Sequence, residues 1–422
     1  FNAFINYHGI ARVEIFETLI EIPNLFKNKK KPESKRVGIV TTTGGGGAMV
    51  VESLSDSDIE IVDPGLSIKK IMQENNIAFN NNKLVDLTIA GTKPEIVNEV
   101  ISQMMKNKNC DLVVMVVGSS AKFRPEQAVE PLLKWANYPK PLAVYVAPDA
   151  PEALTLLHKN NIACFRTPES CAESVKTFLN TKNPVKQKIL KNDLSNISKK
   201  LKKNISKNLS EEEALEIFKD IGIQIVNYKV SCNEKQAVEH SSQIGFPLVM
   251  KVLSNQILHK TETGGVELNI KNLEELKISF EKLSDVFQKL KINSSDEKFL
   301  IQKMETGIAE IILGYRVDEL VGPIVVIGSG GVLSEIYNDK SIRMAPVDIT
   351  EANKMIREVK SLVTITGYRG LPEADINIIA SAIVNMSKFA FVKEIKEAEI
   401  NPIIVKKENE GIVAVDGLIT LY

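Results

Sequence analysis

This 422-residue sequence lacks several features that would by themselves narrow its function. It has no charge excess, because Lys and Arg number 53 and Asp and Glu also number 53. A strong pull toward nucleic acid or an anionic membrane is therefore not expected. No apolar run approaches the ~20 residues that cross a bilayer. Cysteine is scarce, and Cys110, Cys164, Cys171 and Cys232 form no CxxC pair. That argues against a zinc site and a disulfide framework, and a reducing, cytoplasmic location is expected. The opening FNAFINYHGI has no basic stretch before an apolar core, so it does not read as a signal peptide. Starting at Phe1, it reads as part of a longer chain. There is no internal repeat and no low-complexity domain.

What is present is ordinary globular composition, 44% apolar and 25% charged. At roughly 150 residues per domain, about three domains are expected. Residues 1–27 alternate helical and apolar stretches and run into the basic KNKKKPESK. From Arg36 to about Leu179, strand-like runs (VGIVTT, IEIVD, CDLVVMVVG, PLAVYVA, IACF) alternate with helical stretches such as EIVNEVISQMM and PEQAVEPLLKWA. This alternation predicts a parallel sheet with helices on both faces, a flavodoxin-like α/β layout. Residues 184–208 are rich in Lys and Asn and read as a solvated linker, with a functional basic patch as the alternative. Next, LSEEEALEIFKDIG carries a capping box, Ser210 with Glu213. Residues 209–422 have a different pattern, α+β with hairpins. Its strand-like runs are FPLVMKVLS, GGVELNI, FLIQKM, AEIILGY, PIVVIGS, AEINPIIV and IVAVDGLI.

Several residues carry chemistry by type and spacing. Glu399 and Asn401 alternate along AEINP, so they share one face, and Asp416 on the paired strand can lie beside them. Two carboxylates and an amide oxygen suit Mg²⁺, which also takes substrate phosphates. The alternative is an exposed sheet face with ordinary polar residues. Lys251 interrupts an apolar strand; it either snorkels to the surface or meets an anion such as a nucleotide phosphate. A loop follows with His259, Lys260, Glu262 and the pair Gly264-Gly265, a glycine-bearing flap next to a strand lysine. Upstream, Gly44, Gly45, Gly46 and Gly47 form a strand-to-helix turn in VTTTGGGGAMV. This turn has neither the Gly-Lys-Ser/Thr ending of a P-loop nor the G-x-G-x-x-G spacing, so it is not read as an ATP or NAD site. It is either a bare tight turn or an anion site at a helix start.

Taken in order, GFPLVMKVLSNQILHKTETGGVELNI, FLIQKMETGIAEIILGYRVDELVGPIVVIGSGG, SIRMAP, EAEINPIIV and AVDGLITLY resemble the ATP-grasp half of ADP-forming acyl-CoA synthetases, relatives of succinyl-CoA synthetase. VTTTGGGGAMV, VDLTIAG, VVGSSAKFRPEQAVEP and FRTPESCAESV are similar to the ligase domain that precedes it in fused members. The resemblance implies a tail of an upstream CoA-ligase domain at 1–29, a flavodoxin-like CoA-ligase domain at 30–183, the linker at 184–208 and an ATP-grasp domain at 209–422. It implies that Lys251 contacts nucleotide phosphates and that the Gly264-Gly265 flap covers them. Gln302 to Met304 would form the hinge strand against adenine, although relatives often have an acidic residue where Gln302 stands. Glu310 would sit near the ribose. Asn401 and Asp416 would hold Mg²⁺ with Glu399 beside them. Arg343, by charge and position, would be a phosphate contact or else an exposed surface arginine.

In this family the motif around His-Lys-x-Asp-x-Gly-Gly supplies a histidine that relays a phosphoryl group. Here it reads HKTETGG, so His259 and Glu262 take those places, the acid one methylene longer. Imidazole is nucleophilic while neutral near pH 7, which suits a relay. The implied reversible reaction converts acyl-CoA, ADP and phosphate to acid, CoA and ATP through an acyl phosphate and a phosphohistidine. The expected cofactors are ATP/ADP and Mg²⁺, with CoA held mainly by domains outside this chain. The expected partners are nucleotide, a carboxylic acid or acyl-CoA, and an upstream CoA-binding domain or subunit, with an oligomer expected. The family's other phosphohistidine segment, Ser-His-Thr-Gly-Ala, is not in this sequence. Gly44–Gly47 are expected to cradle the phosphate borne by that external histidine. His8, His158 and His240 have no such surroundings. The rival readings are another ATP-grasp carboxylate ligase, or a regulatory or scaffolding nucleotide-binding module of a larger fusion.

Overall fold

The computed structural model describes the chain except residues 28, 80–82, 89–92, 186–193, 203–206, 255–262, 290–296 and 332–338. It divides into two compact units, His8–Pro184, and Phe1–Tyr7 with Val185–Tyr422. No helix among the described residues is long and apolar enough to cross a membrane.

The first unit is built on a parallel sheet of β1 (Arg36–Thr41), β2 (Glu60–Ile61), β3 (Leu84–Asp86), β4 (Leu112–Val117), β5 (Leu142–Val146) and β6 (Ala163–Phe165). The order is β2-β1-β4-β5-β6, with β3 also on β1. All six residues of β4, LVVMVV, are buried, as expected of a strand covered on both faces. Val113, Met115 and Val117 enter one core, while Leu112, Val114 and Val116 enter the other. The covering helices Pro94–Lys106, Pro125–Leu133, Pro151–Lys159 and Pro168–Asn180 all begin Pro-Glu. Proline at the first helical position wastes no hydrogen bond, and the glutamate meets the positive end of the helix. β3 is too short for a period-2 pattern and was not anticipated. From β1 the chain builds outward on one side and then crosses to β4 on the other. The carboxyl ends of β1 and β4 therefore flank the point where an open parallel sheet takes ligands.

The second unit has two antiparallel sheets. The smaller contains β7 (Tyr228–Ser231), β8 (Leu248–Val252), β9 (Val266–Ile270) and β10 (Phe299–Lys303), in the order β7-β10-β8-β9. The larger contains β11 (Ala309–Asp318), β12 (Gly322–Ser329), β13 (Lys340–Met344), β14 (Ile395–Val405), β15 (Ile412–Ala414) and β16 (Gly417–Leu421). Its order is β13-β12-β11-β14-β15, with β16 also on β14. On the smaller sheet Leu248, Met250, Val252, Phe299 and Ile301 pack with residues of helices Glu234–Ile244 and Leu273–Lys289. The opposite face carries the buried polar residues Lys251 and Gln302 among the apolar Val249 and Leu300.

Two expectations change here. Residues 184–208, read as a solvated linker, include a helix, Ser195–Leu201, whose Ile197 and Leu201 are buried in the core of the second unit. Two apolar residues four apart suffice to dock one turn, even among lysines. Asp416 does not lie within a strand. IVAVDGLI splits into β15 and β16, with Val415-Asp416 between them. Both pieces pair with β14, Ala414 opposite Ile403 and Gly417 opposite Ile400. Asn401-Pro402 and Val415-Asp416 thus face each other in a gap of the ladder, where Pro402 has no N–H to donate. The capping box forms as read: Ser210 Oγ accepts the Glu213 N–H, and Glu213 Oε2 accepts the Ser210 N–H at 2.8 Å.

Candidate functional site

Alternation along β8 turns Val249 and Lys251 away from the helices. Across the ladder Leu300 stands opposite Lys251 and Gln302 opposite Val249, so Lys251 and Gln302 share this face. Lys251 is only 4% exposed. A lone ammonium there would be costly. Its three donors are instead taken by Glu211 Oε1 at 2.7 Å, the Val415 carbonyl at 2.9 Å and Asp416 Oδ2 at 2.9 Å. Burial alone would lower its pKa, but Glu211 and Asp416 outweigh burial and leave it above the ordinary value. The group stays a cation.

Glu211 was not singled out by sequence reading, because an acidic first turn usually faces water. It is the first residue of helix Glu211–Asp220 and is 3% exposed. The signal was present: Glu211, Ala214, Leu215 and Phe218 recur at the spacing of one helical face, and all four are buried. The helix start adds its positive end to the attraction of Lys251 for this carboxylate.

Gln302 is also buried, at 2% exposure. Its Nε2 donates to the same Val415 carbonyl at 3.1 Å, while its buried Oε1 has no partner among the described residues. An acceptor left dry in this way is an unusual cost.

Glu399 and Asn401 sit side by side on β14, with Asn401 Nδ2 donating to Glu399 Oε1 at 3.3 Å. The Val415 N–H donates to the Pro402 carbonyl at 3.3 Å, which sets Asp416 across from this pair. The Asp416 side chain is 36% exposed, and its Oδ1 accepts the Gly417 N–H at 2.8 Å. Glu399, Asn401 and Asp416 are all hard oxygen donors, a set that fits Mg²⁺. Among the described residues no group of three or more His, Cys, Asp or Glu could hold a metal. A cation here would therefore draw on the Asn401 amide oxygen and on ligand oxygens.

The remaining sequence candidates fall in different places. Gly264 and Gly265 end the β8–β9 hairpin beside Lys251: Val266 pairs with Lys251, and the Gly265 carbonyl accepts the Val252 N–H at 2.9 Å. Gly264 has φ +71°, a conformation that favours glycine. The Met304 N–H donates to the Pro247 carbonyl at 3.0 Å, which fixes the chain just past β10. Glu310 is exposed on β11, and its carbonyl accepts the Gly330 N–H at 2.7 Å. Arg343 is not brought to the Lys251 group by any bond. It is neither free nor on an open surface, for Glu351 Oε1 holds its Nε at 2.7 Å and Glu358 Oε1 holds a terminal nitrogen at 2.6 Å. Burial works against its charge, and these two carboxylates more than compensate. His259 and Glu262 lie outside the described residues.

In the first unit, Gly44–Gly47 open the helix Gly44–Ser55, whose N-cap Thr43 makes no side-chain capping bond. A Cβ on Gly46 would lie 3.1 Å from Val116 Cγ1, and one on Gly47 would lie 2.8 Å from Thr41 Cγ2. These two glycines let the helix sit down on the sheet. A Cβ on Gly44 would meet Asp86 Oδ2 at 2.6 Å, whereas one on Gly45 would meet no described atom within 4 Å.

Comparison with known proteins places these features in a family. The family described as ATP-grasp domain matches residues 200–421. The 4-hydroxybutyrate–CoA ligase [ADP-forming] of Nitrosopumilus maritimus is 26% identical over 433 residues, covering 100% of this chain and 62% of its own length. The acetate–CoA ligase [ADP-forming] I subunit beta of Pyrococcus furiosus is 39% identical over 212 residues, covering 50% of this chain and 90% of its own. A crystal structure from Pyrococcus horikoshii is similar with a TM-score of 0.50 and 32% identity, over 55% of this chain and 99% of that one. This chain thus spans 62% of the first of these relatives. By this match and by its two antiparallel sheets around Lys251, the chain belongs to the ATP-grasp family, among the ADP-forming acyl-CoA ligases.

Proposed function

We propose that this chain is the nucleotide-binding and ligase part of an NDP-forming acid–thiol ligase. The observation that carries the reading is the buried Lys251 cation, held at 2.9 Å from an Asp416 that also faces the Asn401–Glu399 pair. A fixed cation beside a cluster of hard oxygen donors suits a nucleotide polyphosphate with its Mg²⁺. In this reading Lys251 binds a phosphate, and Asp416 and Asn401, with Glu399 beside them, hold the cation, which would neutralise charge on the transferring phosphoryl group. The dry Gln302 Oε1 offers an acceptor to an N–H of the base. Glu310 lies near the ribose, and Gly264-Gly265 belong to the flap over the phosphates.

His259 is the proposed phosphoryl acceptor, with Glu262 as its acidic neighbour. Gly44–Gly47 are proposed to receive the phosphate of a histidine from outside this chain. The uncapped start of their helix, with open space over Gly45, supports that role. Arg343, engaged by Glu351 and Glu358, would reach a phosphate only by leaving them. CoA and the acid would be bound largely by the upstream partner.

The test is incubation with γ-labelled ATP and Mg²⁺ in the presence of the upstream domains. Acid-labile label on the chain, lost in His259→Ala, is the expected result. An unlabelled parent chain would remove the relay role of His259.

A further inference from the structure

We infer that Glu211 is a positioning residue, the fixed anchor of Lys251, and that Asp416 is the partner Lys251 gives up when a magnesium–nucleotide binds. This deepens the nucleotide-site reading and rests on it.

An ammonium has three N–H donors, and in Lys251 all three are taken. An arriving phosphate must therefore displace an acceptor, and the three are not equivalent. The Glu211 side chain is 1% exposed and sits at a helix start, so without Lys251 its charge would be stranded away from water. The Val415 carbonyl is a backbone group that also accepts from Gln302. Asp416 is the exposed one, at 36%, and it already faces Asn401 and Glu399. It alone has a second place to go, a divalent cation.

A cation that takes Asp416 Oδ2 frees one N–H of Lys251 for phosphate. Without the cation, Asp416 and phosphate compete for that N–H. Cation and nucleotide then favour each other's binding, and the coupling is reciprocal. Glu211 keeps Lys251 in place and compensated throughout the exchange. Deprived of the Glu211 charge, Lys251 leans wholly on Asp416, and the cation must pull harder to separate them.

The experiment is calorimetric titration of the full chain with ADP, in EDTA and across a Mg²⁺ series. Glu211→Gln keeps the shape and removes the charge. Its expected effect is an about tenfold loss of Mg·ADP affinity, with a similar rise in the Mg²⁺ needed for half-maximal binding. Glu211→Asp should fall between it and the parent. In a Lys251→Met background, Glu211→Gln should change neither quantity. Asp416→Asn should bind ADP in EDTA more tightly than the parent and lose the Mg²⁺ dependence.

An unshifted Mg²⁺ dependence in Glu211→Gln, or the same shift in the Lys251→Met background, would overturn the anchoring role. Weaker binding of metal-free ADP by Asp416→Asn would overturn the exchange. Should Glu211→Gln fail to fold in a melting control, Glu211→Asp carries the same two readouts, and parent-like values there overturn the inference. A parent chain that binds no ADP under any condition removes the nucleotide site itself. A parent that binds while the variants match it removes only the inference.

Discussion

In the parallel-sheet unit Arg36 and Asp111 close on each other, whereas in the antiparallel unit Lys251 is shared between a sealed carboxylate and one that reaches solvent. Arg36 meets Asp111 through two parallel bonds, each 3.0 Å, and Ser34 Oγ adds another at 2.8 Å. Every strong partner of that carboxylate comes from the start of β1 or just before it, so the cluster joins the β1 and β4 segments and has no partner left to exchange. The Lys251 group is buried more deeply, yet one of its acceptors is half open to water beside a set of oxygen donors. Burial of charge alone therefore does not separate a structural ion pair from a functional one. What separates them is whether a partner has an alternative.

The largest expected effect is that of Lys251→Met, which leaves Glu211 buried without its cation. It should cost about 3–5 kcal/mol of stability and weaken ADP binding by more than the about tenfold loss expected of Glu211→Gln, while leaving it measurable. Adding Glu211→Gln should recover much of the stability and none of the binding, because an uncompensated charge, not a lost contact, dominates the cost. Trp135 is the only tryptophan and lies in the first unit. Denaturant unfolding by circular dichroism should therefore shift in Lys251→Met while the tryptophan transition stays in place. A shift of both would break the contrast between the units.

Asp111→Asn should do the reverse, costing about 1–3 kcal/mol in the tryptophan transition and leaving ADP binding unchanged. The effect has a pH sign. Burial pushes the Asp111 carboxyl up, but the bonds from Arg36 and Ser34 outweigh it and hold it below the ordinary range. Its stabilisation is thus complete above the unfolded-state pKa and is lost as pH falls through the lower folded value. Parent and Asp111→Asn should converge on acidification. Lys251, raised above its ordinary value, behaves in the opposite way. Its stabilisation is full below the unfolded pKa and disappears only as pH rises through the folded one. Differences that widen for Asp111→Asn in acid would reverse the assignment.

The smallest effects separate the glycines of the first unit. Gly47→Ala must push into Thr41 and Leu84 and should lower stability by about 1–3 kcal/mol. Gly45→Ala has room and a helical backbone, so it should raise stability by up to about 1 kcal/mol. With the upstream partner present, Gly45→Ala should still slow phosphoryl transfer if a phosphate approaches this turn. Stability and transfer rate moving together in Gly45→Ala would argue for packing alone.

Long apolar runs made most strands readable: LVVMVV, LAVYV and LVMKV are buried throughout and carry the parallel and antiparallel sheets. The short strands β3 and β7 were not read and β15 was not separated from β16, although the equally short β6 was legible in the apolar IACF. The five-residue β13, KSIRM, is too polar to read as a strand. Lys251 was legible because a charge inside an apolar strand demands a partner. Glu211 was overlooked although it obeyed the helical period, since one buried acid is hidden beside the half-buried Glu212 and the exposed Glu213. Arg343 was visible as a charge, but its capture by Glu351 and Glu358 depends on a helix packed beside β13.

The sequence by itself determined the two kinds of sheet, the capped helix before the ATP-grasp strands, and the residues able to meet phosphate and cation. Period, capping and charge in an apolar run are local, and a chain carries them wherever it folds. Only the tertiary structure decided which partners those residues take. The ladder gap at Asn401-Pro402 and Val415-Asp416 brings one carbonyl and one carboxylate to Lys251, from a strand end 164 and 165 residues away. The packing of one helix brings the sealed Glu211. Such meetings depend on burial and register summed over whole sheets, and no local pattern encodes them.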